Sequence, residues 1–287
     1  MLRKFQYVRP KTIHEAISSL SSSPKAMVLA GGTDLLVQIR GGLAKPEILV
    51  DVKGLPELKD IREDSKDIFL GSVATFWEIS DSRLLNEHFP SLIQACNAVG
   101  SPQIRNMATI GGNAQTASPA GDGLTALYGL GATVGLLSSS GERRVPLCEF
   151  VRGPKQTQKR QDEIIAGFFL PKRRWDFQEF FKIGKRKALA ISVVNGFIGI
   201  GLDSNGAIRD AVIVLGAVAP TPIRLGPVEE RLVGRIHNEE LGKEVRRAVR
   251  ECVSPISDMR AGKEYRAYIA GVMCDRIIGK VTGGIAR

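Results

Sequence analysis

Aromatic residues make up only 6% of this 287-residue chain, and cysteine and histidine are scarcer, with four of the first and three of the second. Each shortage excludes something. Cys96, Cys148, Cys252 and Cys274 stand far apart, and no pair has the CxxC spacing of a structural zinc or a chain-borne iron–sulfur cluster. Four thiols are also too few for a disulfide scaffold in a chain this long. They read as isolated buried thiols in a reducing compartment. His14, His88 and His237 are scattered, and no acid–base pair accompanies them. No catalytic side chain and no metal ligand is therefore assigned. The longest apolar run, residues 211–219, is closed by Asp210 and Pro220 and is far too short for a transmembrane segment. The N-terminus, MLRKFQYVRPKTIHEAISSL, lacks the apolar core of a secretion signal. The expected location is the cytoplasm. No basic run is interleaved with aromatics as a single-strand nucleic-acid surface requires.

What the chain does have is a 43% hydrophobic content, enough for a substantial core, and a formal net charge of +10. A basic chain suits nucleic acid, a phosphate-bearing cofactor or an acidic partner. The positive charge gathers at Lys172–Arg174, at Lys182, Lys185, Arg186 and Lys187, and at Arg246, Arg247 and Arg250. The plain reading of each cluster is a solvated face.

Local patterns give mixed helices and strands. Thr12 and Glu15 form a capping box ahead of Ala16, Ile17 and Leu20. Residues 27–30, 48–52, 68–73, 132–137 and 163–170 read as strands, and residues 35–39, the stretch from Phe76, 92–99 and 123–128 as helices. A proline-led basic stretch at residues 171–175 marks a boundary between segments 1–175 and 176–287. Beyond it, runs 191–202 and 211–219 flank Asn205–Gly206, a hairpin signal. Helices over 241–252 and 265–278 close the chain.

Two loops carry the functional information: AGGTDLL at residues 30–36 and TIGGNAQTASPAGD at 109–122. Each reads as an apolar strand, two glycines and a small polar residue. A diphosphate needs hydrogen-bond donors at close range. Paired glycines remove the Cβ and permit positive φ, so successive N–H groups can converge on an anion. Thr33 and Asn113 would add side-chain donors. Either glycine pair alone reads as a tight turn; the two together favour a cofactor site. Neither GxGxxG nor a P-loop is present, and GLGATVG at 129–135 feeds a β-prone run, so it reads as a turn entering a strand.

AGGTD at 30–34 and TIGGN at 109–113 resemble the FAD pyrophosphate loops of the molybdenum hydroxylase flavoproteins, the medium subunits of the xanthine dehydrogenase and carbon monoxide dehydrogenase family. FKIGKRKALAISVV (181–194), VLGAVAPTPIR (214–224) and SDMRAGKEYRAYIAGVM (257–273) continue the resemblance in the same order. It implies an α+β protein: a two-lobed FAD-binding domain of the vanillyl-alcohol-oxidase (PCMH) type, with lobes about 1–58 and 59–175, then a small α+β C-terminal domain. It also implies a partnership with a small iron–sulfur subunit of the two-iron, two-sulfur type and a large molybdopterin subunit, doubled into a heterohexamer. Electrons would leave to an external acceptor: NAD, a quinone or oxygen. The cofactor contacts it implies are Leu29, Ala30, Gly31, Gly32, Thr33, Asp34 and Leu35 in the first loop. In the second they are Thr109, Ile110, Gly111, Gly112 and Asn113. Val99, Asp122, Ile165 and Lys182 complete the set. Asp122 could accept from a hydroxyl or ring N–H, or simply N-cap a helix. Lys182 could place charge at the flavin, or be a surface lysine. A reductase branch of the family carries an inserted cysteine-bearing loop for a further cluster, and this chain lacks it.

Two other readings compete. A stand-alone flavin reductase on the same fold, of the UDP-N-acetylenolpyruvoylglucosamine reductase kind, would need its own proton donor, and the EYRAYIAGVM segment points away from it. A basic nucleic-acid-binding module predicts steep salt dependence and no flavin colour.

Overall fold

The computed structural model describes residues 4–283, and the chain forms two compact units that interleave in sequence. The first takes the residues up to Asp81, then Ser101–Ala117 and Gly131–Lys172; the second takes Ser82–Gly100, Ser118–Leu130 and the residues from Arg173 onward.

In the first unit, strands Gln6–Val8, Ile48–Asp51 and Ala26–Leu29 form a parallel sheet in that order. Helix Ile13–Ser21 supplies one crossover. The Thr12 Oγ1 accepts from the Glu15 N–H at 3.2 Å, while the Glu15 carboxylate reaches back to the Lys11 N–H at 2.7 Å. Its buried side, Ala16, Ile17 and Leu20, shares a core with Val50, Leu55, Leu58, Val73 and Ile164. Those last residues lead into a five-stranded antiparallel sheet ordered Ile61–Glu63, Asp67–Gly71, Ile164–Pro171, Thr133–Ser138 and Gly141–Pro146. The GLGATVG stretch enters this sheet as expected, with Gly131 at φ 72° just before strand Thr133–Ser138.

The second unit is built on a four-stranded antiparallel sheet ordered Phe177–Ile183, Val194–Leu202, Ile208–Gly216 and Ile223–Arg224. The central strands are almost continuously buried, because both faces of the sheet are covered. Ile198, Ile200, Ile213 and Leu215 pack with Leu241, Val245, Ala270, Cys274 and Ile277 of helices Glu239–Cys252 and Lys263–Gly283. Phe197 lies against helix Asp122–Gly129, so close that a Cβ on Gly129 would stand 2.2 Å from its ring. The hairpin turn forms at Asn205–Gly206, with Gly206 at φ 78° and the Asp203 carboxylate accepting from the Asn205 and Ala207 N–H groups. Strand Phe177–Ile183 has no clean alternation of polar and apolar residues, and local pattern does not reveal it.

Two expectations about single residue types need correction. Cys96 and Cys274 are buried, but Cys148 is exposed and Cys252 half-buried. Burial, aided by neighbouring Asp122, pushes the Cys96 thiol up, and burial beside Asp275 pushes Cys274 up to about 12. The basic clusters are not simply solvated. Lys172 pairs with Glu63 and Arg173 with Asp210. Arg246 is drawn into a network around buried Asp275, whose Oδ1 lies 2.7 Å from His237 Nε2 and whose Oδ2 accepts from Arg246 Nε at 2.6 Å. Glycine makes room for it, since a Cβ on Gly242 would lie 2.3 Å from Asp275 Oδ1.

Burial alone would raise the Asp275 carboxyl, but hydrogen bonds from His237 and Arg246 outweigh it and hold it below the usual carboxylate range. Its contribution to stability is then complete above about pH 4, the ordinary aspartate value, and is lost as pH falls through the lowered folded value. Asp275→Asn should cost about 2 kcal/mol at neutral pH, an estimate reduced because Arg246 is half-exposed. It should also flatten the acid limb of the stability curve. Chemical denaturation from pH 3 to 7 checks this; an acid limb unchanged in the variant would contradict it.

Candidate functional site

The first glycine loop leaves the C-terminal end of a parallel strand. Strand Ala26–Leu29 ends as the Val52 N–H donates to the Leu29 carbonyl at 3.0 Å. Gly32 then turns the chain at φ 72°, and helix Leu35–Arg40 begins. Asp34 stands at the N-cap, but its side chain makes no capping bond. Its carboxylate instead accepts from Gln38 and from the Thr116 hydroxyl, the latter at 3.2 Å. The N–H groups of Gly32, Thr33 and Asp34 meet no backbone acceptor among the described residues. Three successive uncommitted donors after a left-handed glycine form the kind of concavity that binds an anion.

The second loop differs from its sequence-based reading. Thr109 is not the end of a strand; it N-caps helix Ile110–Thr116, and Gly111–Gly112 lie in the first turn with helical, not left-handed, backbone. The Thr109 Oγ1 accepts from the Gly112 N–H at 3.1 Å. The Ile110 N–H donates to Ala74, the Gly111 N–H to Ser72 and the Asn113 N–H to Thr109. All four N–H groups of that turn are therefore used internally. The glycine serves packing: a Cβ on Gly111 would lie 2.7 Å from the Ser72 carbonyl oxygen. Ser72 in turn donates its N–H to Ala166, the neighbour of buried Ile165.

The structure does bring the two loops together. A Cβ on Gly31 would stand 1.9 Å from the Met107 carbonyl oxygen, two residues ahead of Thr109. The bond from Thr116 to Asp34 ties the far end of the second helix to the first loop. Leu29, Thr109, Ile110 and Gly111 are buried supports, Ala30, Gly31, Gly32, Thr33, Leu35, Gly112 and Asn113 are half-buried, and Asp34 is exposed.

Val99, Asp122 and Lys182 belong to the second unit. Asp122 is not an N-cap. Gly121 holds that position, and the Asp122 side chain is buried in a polar cluster. Its Oδ2 accepts from Lys182 Nζ at 2.5 Å, and its Oδ1 accepts from the Ser192 hydroxyl at 2.6 Å and Asn195 Nδ2 at 2.7 Å. Lys182 is no surface lysine: its side chain is 14% exposed, and it also donates to the Ala98 carbonyl at 2.8 Å, next to half-buried Val99. An ammonium has three donors. Two are used here, and the third has no partner among the described residues. Ser192 and Asn195, both fully buried, were not singled out from the sequence. Their signal was available: two polar residues, three apart, interrupting an apolar run.

These residues fit FAD. In the first unit, the first loop offers free backbone donors beginning at a glycine, as a pyrophosphate suits; in the second unit, Lys182 by itself keeps a positive charge and one N–H without a partner among the described residues. Among the described residues no group of three or more His, Cys, Asp or Glu could hold a metal ion.

Comparison with known proteins agrees. The model described as "FAD binding domain in molybdopterin dehydrogenase" matches residues 3–173, and that of the "CO dehydrogenase flavoprotein C-terminal domain" matches 179–281. The chain is 36% identical over 240 residues to the nicotinate dehydrogenase FAD-subunit of Eubacterium barkeri, covering 81% of each chain. It is 31% identical over 277 residues to the xanthine dehydrogenase FAD-binding subunit of Escherichia coli O157:H7, covering 96% of this chain and 94% of that one. A reconstituted CO dehydrogenase from Oligotropha carboxidovorans superposes with a TM-score of 0.93 at 28% identity, covering 99% of both chains. The chain belongs to the FAD-binding medium subunits of the molybdenum hydroxylase family.

Proposed function

We propose that this chain is the electron-exit subunit of a cytoplasmic molybdenum hydroxylase complex. It takes electrons from a small iron–sulfur subunit, itself supplied by a large molybdopterin subunit, and passes them to an external acceptor: NAD, a quinone or oxygen. The molybdopterin partner is supported by the family description that covers residues 3–173. The relatives are themselves FAD subunits of dehydrogenases. Among the described residues no helix is long and apolar enough to cross a membrane.

The observation that carries the cofactor assignment is the run of unengaged N–H groups at Gly32, Thr33 and Asp34. We assign the pyrophosphate to this run, with Thr33 and Asn113 as side-chain donors. Leu29, Ala30, Leu35, Thr109 and Ile110 hold the two loops in place, and Gly31 and Gly111 let them approach. Gly112 flanks Asn113, and Ile165 and Val99 supply packing. FAD, when bound, supplies a redox centre that accepts two electrons and releases them singly or in pairs. Lys182 offers positive charge and a free donor, which favours the more negative, reduced form of the cofactor. Asp122 keeps that ammonium in place. No residue of the chain is needed as a nucleophile or general base, which suits electron transfer.

Two outcomes test this. FAD should bind stoichiometrically and far more tightly than FMN, which lacks the diphosphate. Gly32→Val should weaken FAD binding by about tenfold or more, because it strains the φ 72° turn and presses on the Leu36 and Leu29 side chains, which displaces the loop's N–H groups. Gly31→Ala should instead lower the melting temperature, since its Cβ would strike the Met107 carbonyl. Titration and thermal melting separate the two. Unaltered FAD affinity in the folded Gly32→Val protein would remove the loop from the cofactor site.

Purification from the native source should recover the chain with two partner subunits, and metal analysis should find iron and molybdenum. The copy number expected by resemblance is a heterohexamer. A flavin-loaded chain isolated alone, turning over an organic substrate without either metal, would support the stand-alone reductase instead.

A further inference from the structure

The cluster around Asp122 contains more order than a lysine–aspartate pair requires. Lys182, Asn195 and Gly216 form one row across three adjacent strands, since Lys182 faces Asn195 in register and Asn195 faces Gly216. A Cβ on Gly216 would stand 2.1 Å from Asn195 Oδ1 and 2.4 Å from Thr125 Oγ1, so the glycine leaves space for those two side chains to meet. The Thr125 hydroxyl donates to Asn195 Oδ1 at 3.1 Å. That bond orients the amide, so that Nδ2 faces Asp122 Oδ1 at 2.7 Å. The Ser192 hydroxyl donates to the same oxygen at 2.6 Å, which leaves Oδ2 for Lys182. Thr125, Ser192 and Asn195 are each 0% exposed. The strand ends on either side are fastened by Arg266, a fully buried guanidinium that donates to the Val193 and Ala217 carbonyls at 2.9 and 3.1 Å.

We propose that Asn195 and Ser192 are positioning residues: they lock one oxygen of Asp122, so that the other holds the Lys182 ammonium in one place with its third N–H uncommitted. This rests on the assignment of Lys182 to FAD given above. A free lysine head samples many rotamers, and fixing it costs side-chain entropy. The network supplies that fixation before the cofactor arrives. Both oxygens of the carboxylate are occupied, so it cannot rotate without breaking a buried hydrogen bond. The side chains of Asn195 and Ser192 bond to Asp122 and not to the lysine ammonium, and act on it only through that carboxylate.

The test uses the intact complex and compares Lys182→Met, Asn195→Ala, Ser192→Ala and wild type. The readouts are the flavin midpoint potential and the dissociation constant for FAD, with thermal melting as a separate record of folding. Lys182→Met should lower the potential and weaken FAD binding by about tenfold. Asn195→Ala and Ser192→Ala should move both in the same direction by a smaller factor, and Asn195→Ser, which keeps a donor, should restore part of the change. If Asn195→Ala does not fold, Ser192→Ala, which removes one hydroxyl, carries the comparison. A potential and affinity that move in Lys182→Met but stay at wild-type values in both network variants would overturn the positioning role and leave the lysine assignment standing. Wild-type values in Lys182→Met as well, with FAD bound, would overturn that assignment and the inference with it.

Discussion

The first unit depends on a close approach of backbone to backbone. Gly31 sits where any side chain would strike the Met107 carbonyl, and Gly111 sits where one would strike Ser72. Both contacts lie between segments far apart in sequence, and both require the absence of a Cβ. Once they form, the hydroxyl of Thr116, shared between the Gly112 carbonyl at 2.9 Å and the Asp34 carboxylate at 3.2 Å, holds the first loop near the helix that begins at Ile110. The three free N–H groups at Gly32–Asp34 then form a rigid donor set on a turn held from both ends. A flexible loop would have to order its backbone on binding; this one is ordered by close packing at Gly31 and by the hydrogen bonds on Asp34.

The two loops are thus unequal partners. The first offers donors; the second offers a close-packed wall whose own backbone donors are already committed to Ser72, Ala74 and Thr109. In the second unit the same division appears. Arg266, Gly216 and Thr125 arrange the strands and Asn195; Asn195 and Ser192 arrange Asp122; Asp122 arranges Lys182. Stretches of sequence around residues 98, 122–125, 182, 192–195, 216 and 266 converge on this cluster. The carboxylate does not take part in chemistry in this account. Its work is to hold a positive charge still.

How much of this was legible in the sequence varies with how local the cause is. The Thr12 cap, the Asn205–Gly206 turn, the left-handed glycine of the first loop and the helix at residues 35–40 depend on neighbours a few positions away, and pattern reveals them. Helix Ile110–Thr116 was hidden, because Thr-Ile-Gly-Gly contains β-branched residues and glycines that disfavour a helix; tertiary contacts with Ser72 and Ala74 impose it. Strand Phe177–Ile183 is defined by its partner across the sheet rather than by its own alternation. Paired glycines suggested donors at both loops, but only the fold shows that Gly31 and Gly111 are needed for contact and Gly32 for φ. Ser192, Asn195 and the His237–Asp275–Arg246 network are polar groups whose partners lie 29 to 73 positions away, and spacing alone does not connect them.

The central claim is that the backbone of the first loop grips the cofactor through N–H groups that the protein leaves unused. Amide hydrogen exchange on the segment spanning residues 30–36, with and without FAD, measures this directly. The account predicts that Gly32, Thr33 and Asp34 exchange readily in the cofactor-free protein and become strongly protected when FAD binds. The amides of Gly111, Gly112 and Asn113, already bonded internally, should be protected in both states. Bound FAD with unchanged exchange at residues 32–34 would contradict it.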